Sequence, residues 1–152
     1  SELRKAKKSA HKKGKKLAYR FNGTSDRFEE IKIMLDKEDQ PFDIAYDYTK
    51  DFQRVLDYQG YKGYSLTFSF DGLNHTESKY LLDNHIANVS IVLSTKREEA
   101  LPDTYTLDGT TYPVLDGDKH DLRFTEKTGY LIGLRAKGKA IKNNGSFVQS
   151  TK

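Results

Sequence analysis

The chain has 152 residues, enough for one domain that buries its own core. It has no cysteine, which excludes disulfides, thiol nucleophiles and thiolate-held metal, and no apolar run approaches the roughly 20 residues of a membrane span. The net charge of +4 hides an asymmetry: residues 1–20 carry nine cations and one acid, residues 135–152 five cations and none, and residues 21–134 twelve cations and 21 acids, so basic ends flank an acidic body.

The chain begins at Ser1 rather than Met, which suggests either processing or a boundary cut from a longer sequence. Residues 1–20 form a basic arm holding Arg4, Lys5, Lys7, Lys8, Lys12, Lys13, Lys15 and Lys16. Leu3, Ala6 and Ala10 have helical spacing, but the apolar face is thin. Like charges at i,i+4, such as Lys8/Lys12 and Lys12/Lys16, oppose a helix in water. The arm is therefore expected to be disordered, and to turn helical on an anionic surface.

In residues 21–141, read as a single β-rich domain, apolar residues alternate with polar ones. Ile31, Ile33 and Leu35 suggest a strand over 28–35. Phe42, Ile44, Tyr46 and Tyr48 suggest the next. The stretch from Asp51 to Tyr58 fits a turn of helix better than a strand. Gly60 and Gly63 bracket a turn. Tyr64, Leu66, Phe68 and Phe70 make another strand, and 76–82 a short helix capped by Asn74 or Thr76. Val89, Ile91 and Leu93 follow. Tyr105 and Leu107 lead into Asp108-Gly109, a tight-turn dipeptide, before Tyr112 and Val114 return as a hairpin. Tyr130, Ile132, Leu134 and Ala136 form the last strand, with Gly129, Gly133 and Gly138 read as bulge positions. Residues 142–152 read as a frayed tail. The expected class is mainly β with minor α. It is a twisted antiparallel sheet of about six to eight strands (open, sandwich or barrel-like) with one or two short helices and one solvated face.

Several clusters bear on chemistry. Asp116-Gly117-Asp118-Lys119-His120-Asp121 is the densest set of hard-cation ligands, but Lys127 stands where a calcium loop needs its twelfth-position Glu, so a polar turn is the better reading. His75, His85 and His120 leave a small hydrolase open, with no Gly-x-Ser-x-Gly elbow to support it. No phosphate-binding glycine motif is present. No catalytic residue, metal or cofactor is assigned. Sequons occur at Asn22, Asn74, Asn88 and Asn144. The acids Asp43, Asp47, Asp51 and Asp57, the tyrosines Tyr58, Tyr61 and Tyr64, and Asp116 and Asp118 are the candidate surface for a cationic peptide. The arm suits an anionic membrane surface, each cation adding about 1 kcal/mol there. Nucleic acid is the alternative partner for the two basic ends, opposed by the acidic body between them.

This layout of a basic processed N-terminus, no cysteine and a small tyrosine-rich β domain resembles the lantibiotic immunity lipoproteins of Gram-positive bacteria. The segment Tyr105-Thr-Leu-Asp-Gly-Thr-Thr-Tyr112-Pro-Val-Leu-Asp116 is similar to a hairpin in that family. The resemblance implies a lipid anchor on a cysteine preceding Ser1 and a place on the outer face of the cytoplasmic membrane. It also implies a non-enzymatic role in sequestering a cationic antimicrobial peptide. The chain is expected to be a monomer.

Overall fold

The computed structural model describes residues 2–21, 28–118, 127–137 and 147–151. The protein is mainly β. Among the described residues eight strands form one open sheet: β1 (Ala18–Arg20), β2 (Ile44–Thr49), β3 (Tyr64–Ser69), β4 (Asn88–Leu93), β5 (Thr104–Leu107), β6 (Thr110–Asp116), β7 (Leu131–Arg135) and β8 (Val148–Gln149). Seven lie in the order β1-β2-β3-β4-β7-β6-β5, and β8 pairs with β4 off this path. Four α-helices accompany them among the described residues: α1 (Glu2–Lys12), α2 (Phe28–Leu35), α3 (Phe52–Tyr58) and α4 (His75–Asp83).

The expected antiparallel pairing is corrected. Among the described residues every strand pairing is parallel except the β5–β6 hairpin. The cause is that α3 and α4 carry the chain back between β2, β3 and β4, as parallel neighbours require. Register puts Ala45, Asp47 and Thr49 beside Tyr64, Leu66 and Phe68, and Val89, Ile91 and Leu93 beside Leu131, Gly133 and Arg135. This face is covered: Phe52 of α3 meets Phe68 and Tyr80 edge-on, and Val55, Leu81 and Leu82 join the same core. The opposite face carries Tyr46, Tyr48, Ser65, Thr67, Ser69, Asn88 and Ser90. This second face is not the expected solvated one, since Thr67, Asn88, Ser90 and Ile132 on it are buried, as both faces of a parallel sheet commonly are; polar–apolar alternation therefore reports neither solvation nor strand direction here.

Residues 28–35 are α2 rather than a strand. Ile31 and Leu35, four apart, are buried while Ile33 between them is 64% exposed, a helical pattern and not an alternating one. α3 starts at Asp51, whose side chain accepts the Arg54 amide at 3.1 Å. Asn74 holds the N-cap position of α4 without a side-chain cap bond, and its Oδ1 accepts the Asp71 amide instead. The hairpin turn is as expected: Asp108 and Gly109 both take positive φ, 48° and 87°. Gly133 is not a bulge. A Cβ there would lie 2.9 Å from Val114 Cγ1, so it is a place where β6 and β7 approach closely. Gly138 lies outside the described residues. The tail is corrected in part: Val148 and Gln149 pair with β4, while 142–146 lie outside the described residues.

Candidate functional site

The basic arm is not disordered. Residues 2–12 form α1, and Ala18–Arg20 join the sheet beside Ile44–Tyr46. The like-charge penalty within the helix is offset by acids elsewhere in the fold. Arg4 donates to the Asp39 carboxylate and carbonyl, Lys7 to the Gln40 carbonyl at 2.9 Å, and His11 Nε2 lies 2.9 Å from Asp43 Oδ2. Asp43 also accepts the Leu17 amide at 2.7 Å, where β1 begins. Burial alone would raise the Asp43 carboxyl; the Leu17 amide, His11 and Lys7 outweigh it and hold it below its ordinary range. Arg4 likewise lowers Asp39. Gly14, at φ 69°, ends the helix, with the Lys15 amide reaching back to the Ala10 carbonyl at 2.9 Å.

Docking fixes which way the helix faces. Leu3, Lys7 and Ala10 are half-buried, as spacings of four and three on one face require. Lys5, Lys8 and Lys12 fall on the opposite face and are exposed, as are Lys13, Lys15 and Lys16 in the following turn. Of the eight cations expected to meet an anionic surface, Arg4 and Lys7 are turned to the body and six face solvent. His11, a residue without a role in the sequence reading, is part of the clasp; the signal is its i,i+4 spacing to Lys7 on the docked face.

The nine residues expected to hold a cationic peptide do not share one surface. Asp43 clasps the arm. Asp47 is buried beneath the sheet's covered face, receiving the Tyr64 hydroxyl at 3.3 Å and the Tyr48 amide at 3.0 Å, with Arg20 Nε 3.9 Å away. Tyr64 is itself fully buried; that burial, reinforced by Asp47 and opposed by Arg54, drives its hydroxyl strongly upward. Asp51 caps α3, and Asp57 on α3 accepts Gln53 at 2.9 Å. Tyr58 and Tyr61 do meet, edge to face at 5.8 Å, and Tyr61 donates to Asp36, which Lys32 also reaches at 3.2 Å. The Tyr61 bond is the largest influence lowering the Asp36 carboxyl.

Asp116 and Asp118 lie together at the end of β6 and hold Arg135 at the end of β7. Arg135 Nη1 lies 3.1 Å from each carboxylate, Nη2 3.1 Å from Asp116, and Nε and Nη2 reach the Glu99 carbonyl. Asp116, then Asp118, raise the guanidinium further above its ordinary range. Gly117 permits this turn, since a Cβ would lie 2.6 Å from Ile132 Cγ2. The two carboxylates thus form an internal ion pair with Arg135, and Asp118 also contacts Lys137 at 3.4 Å. Among the described residues no group of three or more metal-ligating side chains is placed to hold an ion; His120 and Asp121 lie outside them. His75 meets the Phe70 ring edge-on and His85 faces the Thr128 carbonyl at 3.3 Å. No helix among the described residues is long and apolar enough to cross a membrane.

The fold and arm define a mainly β protein, an open and largely parallel sheet carrying a docked basic helix. Residues 1–150 match the model of the family described as Gene product 88, and the chain belongs to that family. No curated protein and no solved structure matches it.

Proposed function

We propose that this chain is a non-enzymatic binding domain whose α1 surface engages the phosphate backbone of a nucleic acid. The observation carrying this reading is the fixed orientation of α1. Lys5, Lys8 and Lys12 form a solvent-facing row on a helix of 11 residues, extended by Lys13, Lys15 and Lys16. A helix of that length spans roughly 16 Å, so the row is a linear cationic array suited to a linear polyanion. The acidic body opposes this less than its total charge suggests. Asp39 and Asp43, the acids next to the helix, are compensated by Arg4, Lys7 and His11.

A lipid surface is the second reading, favoured by the same six lysines. It is the weaker one because Leu3 and Ala10 face the body, leaving α1 no apolar face to lay into a bilayer. Sequestration of a cationic peptide would need one acidic face, and Asp43, Asp47 and Asp116 each serve internal partners instead.

The test is direct binding by the purified chain. Low-salt retardation of a short duplex DNA, with no co-sedimentation with phosphatidylserine-containing vesicles, is the expected result. Vesicle binding without DNA binding would replace this reading with the lipid one.

A further inference from the structure

The sheet ends, on the side away from β1, at the free edge of β5. Its ladder with β6 fixes which main-chain groups of β5 are used. The Val114 amide donates to the Asp103 carbonyl at 2.9 Å, and in an antiparallel ladder that arrangement recurs two residues along. Tyr105 with Tyr112 and Leu107 with Thr110 are therefore the hydrogen-bonded pairs, and Thr104 and Thr106 turn their N–H and C=O groups outward. Pro113, which has no N–H to give, stands opposite Thr104, where the β5–β6 ladder needs none. Thr104 and Thr106 are exposed, and among the described residues their main-chain groups meet no partner.

An edge of this kind is usually guarded by lysine, proline or a bulge. The other edge is guarded: exposed Arg20 stands on β1, and exposed Lys15 and Lys16 precede it. No cation stands on β5. Thr104 and Thr106 lie on its exposed face and half-buried Tyr105 on the other. Pro102 and the left-handed Asp108 stop the extended stretch at its two ends, each three residues from Tyr105. The stretch is therefore self-complementary about Tyr105. Laid antiparallel against a second copy, Thr104 faces Thr106 and Tyr105 faces Tyr105, so the outward groups of both threonines are matched. Asp103 then faces Leu107 rather than an acid.

We propose that β5 pairs antiparallel with β5 of a second copy of this chain, about a two-fold axis at Tyr105, joining the two sheets into one. This departs from the monomer expected of the sequence. A second copy suits the edge better than an extended segment of another protein, because the free stretch is centred on one residue and a single symmetric register satisfies both copies. Threonine pairs on one face and the tyrosine pair on the other supply the side-chain contacts. A strand-edge contact of this length buries little area, so the dimer is a weak one that forms as concentration rises. The pairing uses no residue of α1 and does not depend on the nucleic-acid reading.

The experiment is sedimentation velocity of the full chain, without nucleic acid, over a concentration series. Wild type should shift from monomer to dimer as concentration rises. T104K/T106K sets lysine opposite lysine twice across the axis and should weaken association about tenfold or more. T104K/T106E changes the same two exposed positions and loses the same Thr106–Thr111 hydroxyl bond, yet it sets opposite charges face to face. It should associate at least as well as wild type, and the two variants should have similar melting temperatures. K5Q/K8Q/K12Q should dimerise as wild type does. The proposal is overturned if wild type stays monomeric at every concentration, whatever else takes the edge, or if T104K/T106K and T104K/T106E associate alike. It is equally overturned if K5Q/K8Q/K12Q abolishes the dimer, since the contact would then run through α1.

Discussion

Replacing Asp43 by Ala should undock the N-terminal helix. Asp43 is the joint between arm and body: it accepts the Leu17 amide at 2.7 Å, contacts His11 at 2.9 Å and lies 4.0 Å from Lys7. The amide bond to a carboxylate is the main contribution, about 1.5–3 kcal/mol for a charge-assisted bond. The His11 and Lys7 pairs are partly exposed and add no more than about 1 kcal/mol together. A total near 2 kcal/mol is expected, about 6–8 °C in melting temperature for a domain of this size. Urea denaturation measures the energy, and amide hydrogen exchange of residues 2–12 reads the undocking. Because the folded Asp43 carboxyl lies below its unfolded value, its contribution is present above pH of about 4 and is lost as pH falls through the folded value. The difference between wild type and Asp43→Ala should therefore shrink on acidification below that point. A stability change under about 0.5 kcal/mol, with exchange protection of residues 2–12 unchanged, would refute the clasp.

Two further outcomes follow from burial and charge. Arg135→Met should cost about 3 kcal/mol in chemical denaturation, because it strands the Asp116 and Asp118 carboxylates beside each other without their counter-ion. Ile31→Ala should cost about 2–4 kcal/mol while Ile33→Ala stays within about 0.5 kcal/mol, since the first side chain is buried and the second is 64% exposed; equal effects would restore the strand reading of 28–35.

Much of the sheet is legible in alternation. The strands around Tyr64–Ser69 and Asn88–Leu93 and the Asp108-Gly109 hairpin stand where the pattern puts them. Direction is not legible, because it depends on where α3 and α4 cross and the side-chain period is the same either way. Ile31, Ile33 and Leu35 mislead because three residues at i, i+2, i+4 fit both periods, and only burial separates them. The arm misleads for a related reason. Helix-internal repulsion among lysines is local and visible, whereas the compensating acids Asp39 and Asp43 lie more than thirty residues away. Sequence distance also hides the fate of Asp116, whose partner Arg135 sits on a different strand. Acidic residues in a strand suggest a surface, yet Asp47 faces inward to meet Tyr64. The exposed lysines of α1 are the most legible part of the candidate site, and docking adds their common direction.

The central claim, that Lys5, Lys8 and Lys12 act together on phosphates, is tested most directly by the salt dependence of duplex DNA binding. Every phosphate that the protein no longer neutralises makes the slope of log K against log salt shallower by about 0.9. The K5Q/K8Q/K12Q variant should therefore show a slope shallower than wild type by about 2.7, with its melting temperature unchanged because none of the three side chains is buried. A slope equal to wild type would contradict the account.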